Sequence, residues 1–300
     1  MIAMSRTLPT LFLSTALAGF SLTSLTAQES APKPEKVEKS EKPAKNSNKP
    51  RGTIPEDLLD DEHVQEEFGV SELTTPSIKK IFEDLESLGT LPYDSLKRPI
   101  PKGMPSDRTL IALNLGVLIG DGFLSVQSEK VSDLEDIGRS ILKHAKVLGA
   151  GSRVAERTKG IMENSALGDW KELKGELAAT QREVKHEMVL LRDLDMVHLI
   201  SLGGWLRGLQ IGSTASLDPF SADKAKVLAR HDITEYFAYV LDSLSGPVQK
   251  LEHIAVLRKG MAEIDQIVNL PEGKPLSKEE VKKLQAKATE LIDTIIKADK

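Results

Sequence analysis

"SLGGWLRGLQIG", Ser201–Gly212, carries four glycines, one of the chain's two tryptophans and an arginine. It lies inside a long apolar segment with helical periodicity, where each glycine costs about 1 kcal/mol relative to alanine. Roughly 3–4 kcal/mol must therefore be recovered elsewhere. Gly204, Gly208 and Gly212 are four apart, so on a helix they form one ridge. A second apolar run, "SDRTLIALNLGVLIGDGFLSVQSE" (106–129), carries Ala112, Gly116 and Gly120 at the same spacing. Two small-residue ridges let helix backbones approach more closely than the usual 8–10 Å, and the dispersion attraction between the two backbones offsets the lost propensity. The expectation is that these two helices cross at their ridges in the centre of the body.

Each of the two helices also carries a charge in apolar surroundings. Asp121 stands between Gly120 and Gly122, with Asn114 two turns earlier on the same side; Arg207 stands between Leu206 and Gly208. At 100° per residue each charge lies roughly 60–140° around its helix from its own ridge. An isolated charge there is costly, so an Asp121–Arg207 pair satisfied across the crossing is expected. A sharper alternative is a ligand site in which Arg207 clamps an anion beside Trp205. His198, seven residues before Trp205, shares its flank. The candidate ligand-binding residues are then Asp121, Asn114, Trp205, Arg207 and His198.

Working outward, helix signals recur from about residue 53 and no convincing strand appears. Thr75 and Pro76 read as N-cap and first helical position, and Gly89 as the stop after "SIKKIFEDLESL". Ser106 reads as the cap of the apolar helix that follows. Ser132 with Glu135, Asp169 with Glu172, Asp232 with Glu235 and Ser277 with Glu280 have capping-box spacing. Ser152 and Ser221 are simpler caps, and Gly246-Pro247 opens a further helix. Near the end, Ile254, Leu257, Met261, Ile264 and Val268, then Val281, Leu284, Ala288, Leu291 and Ile295, alternate steps of three and four. Such seams suit near-antiparallel packing of two helices joined by "NLPEGKPL". The fold class expected is all-α: a multi-helix antiparallel bundle of about eight to ten helices ending in a helical hairpin. "GDWKELKGELAAT" resembles the opening of a tetratricopeptide motif, but no second copy follows at the spacing of about 34 residues that such arrays need.

The N-terminus is different material. Arg6, the apolar run "LPTLFLSTALAGFSL" and small residues ending at Ala27 have the architecture of a bacterial secretory signal peptide over 1–27. No cysteine occurs in the chain, so neither a lipid-modified cysteine nor a disulfide is available. About 270 residues would remain after cleavage, enough for a substantial core. Residues 28–52 are rich in Pro, Lys, Glu and Ser, with Val37 as the single sizeable apolar side chain, and read as a disordered linker. Lys33, Lys36, Lys39, Lys42 and Lys45 fall every third residue and would line one edge of a polyproline II helix. They could contact an anionic surface, although Glu35, Glu38 and Glu41 interleave with them and favour a solvated spacer. Residues 53–105 read as an N-terminal helical arm ending in the Pro-rich loop "LPYDSLKRPIPKGMP", and 106–300 as the bundle domain.

The formal net charge is −5, which with the lack of aromatic-and-basic interleaving argues against a nucleic-acid partner. The histidines at 63, 144, 186, 198, 231 and 253 show no metal-binding spacing. "EDLLDDEHVQEE" (56–67) lacks the glycine and alternation of a calcium loop. Neither a phosphate-cradling loop nor a nucleophile elbow is present, and Arg192, Asp193 and Asp195 read as a capping cluster at a helix junction. No cofactor is implied. Small-residue ridges also drive membrane packing. Around Gly204, however, seven Leu, Ile or Val residues at about −0.3 to −0.6 kcal/mol each barely offset the roughly +2.5 to +3.5 kcal/mol of Arg207. A membrane-inserting protein is the minor alternative. The leading expectation is an exported, periplasmic or secreted, non-enzymatic helical interaction or scaffold protein that meets an envelope protein or polymer. The alternative is a periplasmic binding protein or enzyme with a pocket near Asp121, Trp205 and Arg207.

Overall fold

Two helices with almost no exposed face form the centre of the molecule. In the computed structural model, which describes residues 78–100, 103–271 and 274–297, these are α3 (Arg108–Gln127) and α7 (Leu194–Leu217). Every residue of α3 from Thr109 to Val126 is buried, and so is nearly all of α7 from Met196 to Ser216. A helix that is apolar all round can only be stable when covered on every side. The surrounding helices are α1 (Ile78–Glu86), α4 (Val131–Leu148), α5 (Gly151–Leu167), which packs between its two chain neighbours, α6 (Trp170–Leu190), α9 (His231–Ser243), α11 (Glu252–Val268) and α12 (Lys278–Lys297). Single turns, α2 (Tyr93–Leu96), α8 (Ala222–Ala225) and α10 (Gly246–Gln249), complete the described helices. Among the described residues there is no β-strand. The fold is an all-α multi-helix bundle.

Short connections dictate the packing order. From α3 through α7 consecutive helices are separated by two or three residues, which forces each to fold back on the last. Gly149 and Gly168 end α4 and α5 in the left-handed conformation that favours glycine. Arg192, at φ 53°, turns the chain between α6 and α7. There Asp193 pairs with Arg108 (2.7 Å) and Asp195 accepts from the Ser245 amide (3.2 Å), so this charged cluster ties helix ends together.

Two of the four capping boxes behave as their spacing predicts in full or in part. Ser277 and Glu280 form the reciprocal box at the start of α12, with the Ser277 amide and hydroxyl both donating to Glu280 Oε2 at 2.7 Å. Asp169 accepts from the Glu172 amide, and Ser221 caps α8. The other two boxes are corrections. Lys130 and Arg230 occupy the N-cap positions of α4 and α9, so Ser132 and Asp232 already lie inside the helices. Ala150, not Ser152, precedes α5. Ser106 gives way to Asp107, whose carboxylate accepts from the Thr109 and Leu110 amides and is the better-placed acceptor for the positive end of α3.

The C-terminal hairpin is present. The buried residues of α11 include every position of its predicted seam, and those of α12 include the second seam plus Ile292. Gly260 admits the Leu291 side chain, and Lys287 bridges to Glu263 at 2.5 Å. The face of α12 continues past the hairpin onto α7, its most extensive partner. The described part of the segment 53–105 enters the same core, through Leu85, Leu88, Leu91, Tyr93 and Leu96. The expected signal segment, the linker with its lysines, the acidic stretch 56–67 and the Thr75–Pro76 helix start lie outside the described residues.

α3 is long and apolar enough to cross a membrane, yet the apolar window that qualifies it is wholly buried inside the bundle. Its hydrophobicity is used up in protein packing.

Candidate functional site

The site grows out of the α3–α7 crossing. A β-carbon on Gly116 would overlap the Ile200 carbonyl oxygen and stand 2.6 Å from the Gly204 amide nitrogen. One on Gly203 would overlap the Leu113 carbonyl oxygen. The two backbones therefore touch, and glycine is the residue that permits it. Gly120 faces the stem of Arg207, whose Cγ would lie 2.7 Å from an added β-carbon. Ala112 is fully buried one turn before Gly116.

The expected ridge on α7 holds only in part. Gly208 faces Ile81 of α1, and Gly212 faces Leu228 and Leu85. Each step of four residues advances a helix by about 400°, so the ridge turns by roughly 80° between Gly204 and Gly212. Over that distance it leaves α3 and becomes the seat for α1 and the turn after α8. Gly203, off the predicted ridge, takes the vacated role.

Arg207 is the largest side chain sealed in the core. Its Nε donates to Asp121 Oδ1 at 2.8 Å, Nη2 donates to the Leu96 carbonyl at 2.7 Å, and Nη1 donates to Gln210. The anticipated pair across the crossing is thus in place, with every nitrogen of the fork occupied. Burial pulls the Arg207 guanidinium below its ordinary value; Asp121 opposes this and the charge of Arg98 adds to it. Arg98 comes from the Pro-rich strap after α2. Its Nη2 lies 2.5 Å from Asp121 Oδ2, so one aspartate faces two arginines.

Next to this centre opens a cleft of about 940 Å³ between the described parts of the strap (95–100 and 103–105), α7 and α12. Arg98, Arg207, Asn114 and His144 line its polar end, and Gln210, Gln285, Thr214 and Thr289 its wall. The wall is organised by two hydrogen bonds between α7 and α12, Gln210 to Thr289 and Gln285 to Thr214, both 3.0 Å. Asn114 Nδ2 donates to the carbonyls of Leu110 and Ile295 at 3.0 Å, pinning α12 to α3. His144 Nδ1 donates to the Ser140 carbonyl at 2.7 Å, and burial lowers its pKa, with Lys143 and Arg98 adding to the shift. Ile100, Met104, Ile292 and Ile296 make the rest of the cleft apolar.

Of the five predicted ligand-binding residues, the structure brings Asp121, Asn114 and Arg207 to this region and takes the other two away. Trp205 packs on Phe237 of α9 with ring centroids 5.5 Å apart, and His198 Nδ1 lies 2.9 Å from the Tyr236 hydroxyl. Trp205 and Arg207 are two residues apart, about 200° around a helix, so they point to opposite sides. Burial drives the His198 pKa down to about 4. Trp205 and His198 do share one flank, as their spacing of seven requires, but that flank packs against α9.

Arg98 escapes sequence reasoning because it sits in a Pro-rich loop with no periodicity to assign it a face. Gln210, Gln285 and Thr289 sit beside the apolar seams, where polar residues usually meet solvent. Among the described residues no three His, Asp or Glu side chains converge as a metal site needs. What the arrangement offers is recognition: a cationic, hydrogen-bonding end and an apolar body in one cleft. No family model, no curated protein and no solved structure matches the chain.

Proposed function

We propose that the protein is an exported, non-catalytic binding protein of the bacterial cell envelope, and that its cleft receives a small amphipathic ligand. The cleft carries the proposal. Its volume of about 940 Å³ falls in the range of ligand pockets, about 300–1,000 Å³. Its lining combines convergent polar groups with apolar walls, the composition such pockets use. The strap and α12, which border it, are held to the crossing by Arg207 and Asn114, so the site is built on rigid elements. Export is supported by Arg6, the apolar run after it and the small residues ending at Ala27.

The binding half is tested by native mass spectrometry of the secreted protein purified from its host. A bound small molecule should survive gel filtration, and Thr214→Trp, which places an indole in the cleft, should remove it while the melt stays cooperative. Wild-type protein that carries nothing and takes up nothing from envelope extracts would favour a scaffold without a ligand. The export half is tested by N-terminal mapping, which should find the mature chain beginning near Gln28. A cytoplasmic chain still starting at Met1 would overturn it.

A further inference from the structure

We infer that the cleft selects an amphiphile bearing a single negative charge, and that Arg98 receives its head. The inference rests on the proposal that the cleft is a binding site and names the chemistry of what enters it. The charges around the cleft decide the sign. Lys97 pairs with Asp133 at 2.8 Å and Lys297 with Asp293 at 2.5 Å. His144 is held toward its neutral form. What remains is Arg98 and Arg207 against Asp121, one uncompensated positive charge that is largely buried.

The two arginines are not equivalent. Arg207 has an acceptor for each nitrogen of its fork. Arg98 touches Asp121 only as an ion contact, without hydrogen-bond alignment. Among the described residues no acceptor meets its Nε or Nη1, although both are buried, and Nη2 has only Asp121 Oδ2 beside it. Buried donors without acceptors are costly and call for an explanation. A planar carboxylate or similar monoanion supplies two acceptor oxygens to an arginine fork at once. It would gain there what the protein itself does not provide, while Asp121 stays neutralised by Arg207.

The charges on either side of Arg98 favour arrival of the head from the cleft. Arg98 separates the cleft from a smaller hollow of about 210 Å³ lined by Asp121, Asp133 and Asp136. Those carboxylates repel an anion, whereas the cleft offers amide and hydroxyl groups. Beyond the polar end, Ile100, Met104, Ile292 and Ile296 suit an alkyl chain.

Calorimetric titration of the purified secreted protein with dodecanoate, dodecanol and dodecylammonium, below their aggregation concentrations, tests this. Dodecanoate should bind about ten-fold or more tightly than dodecanol, the size of one hydrogen-bonded charge contact, and dodecylammonium weakest. Arg98→Gln should lower dodecanoate affinity to that of dodecanol without changing dodecanol itself, and Arg98→Lys should restore part of the preference. Equal binding of dodecanoate and dodecanol by the wild type, or a preference that survives Arg98→Gln, would overturn the role of the charge while leaving the cleft as a ligand site. If no probe binds, or Thr214→Trp leaves binding intact, the cleft reading itself falls. Should Arg98→Gln fail to fold, the wild-type ranking and Arg98→Lys decide alone.

Discussion

One aspartate, Asp121, holds two arginines inside the protein, and the consequences of removing it follow from charge balance. Asp121→Asn would leave Arg98 and Arg207 buried without a counter-charge, a change that costs about 3–5 kcal/mol when a buried pair is broken. In an Arg98→Gln background one of the two repelling cations is gone, so the same substitution should cost less; denaturant melts of the four proteins give the coupling directly. Equal costs in both backgrounds would mean that Arg98 does not sense Asp121. His198 makes a second residue-level prediction. Its folded pKa of about 4 lies below the ordinary 6.5. As pH falls the unfolded chain therefore takes up the proton first. The stability from this residue is whole above about pH 6.5, is lost down to about pH 4 and levels off below that. The loss is on the order of 3 kcal/mol. His198→Gln, which keeps a hydrogen-bonding partner for Tyr236, should flatten the slope of stability between pH 6.5 and 4. An unchanged slope would place the titration elsewhere, in His144 or His253, whose pKa values burial also lowers.

At the scale of elements, glycine has opposite meanings in different helices. Gly116→Ala pushes a β-carbon into the backbone of α7, which cannot turn aside, so it should destabilise by about 3 kcal/mol, the upper end of ordinary overpacking. Gly175 in α6 is exposed with nothing within 4 Å of an added β-carbon. Gly175→Ala should therefore stabilise by about 1 kcal/mol through helix propensity. Both are read from shifts in denaturation midpoint, and the same sign at both positions would refute the crossing as described. Helix starts divide similarly. Ser277→Ala removes a formed box and should cost about 1 kcal/mol. Ser132→Ala, inside the first turn of α4, should be near neutral although its sequence context is the same. The seams of α11 and α12 were legible because their steps of three and four survive in isolation. The failed boxes were not, because helices start where the preceding chain lets them, one or two residues before the better cap.

For the molecule as a whole, the described part of the N-terminal segment behaves as a structural member of the bundle. Ile81, Leu85 and Leu88 seat on Gly208 and Gly212 of α7, and burying side chains of this kind is worth about 1.5–3 kcal/mol each. A chain beginning at residue 91 should lose roughly 4–8 kcal/mol, most of the stability of an ordinary domain. A chain beginning at residue 53 should melt as the full chain does. Thermal unfolding of the two truncations tests this, and a residue-91 chain as stable as the longer one would make α1 an appendage.

Local and periodic signals were sufficient for the all-α class, the C-terminal hairpin, the junction at Arg192 and the expectation that Asp121 and Arg207 pair. Helical spacing and the cost of an unpaired buried charge act through neighbours a few residues away or through a single strong partner. The route of the glycine ridge, the removal of Trp205 and His198 to the α9 contact and the arrival of Arg98 beside Asp121 were decided by tertiary structure. A helix rotates its faces continuously along its length, so which neighbour each face meets depends on crossing angles that no local pattern encodes. Arg98 reaches its place through a Pro-rich strap whose path is set by what it packs against. The cleft belongs to the same category, since its walls come from residues near 100, 210 and 290 and it exists only where three segments fail to close on one another.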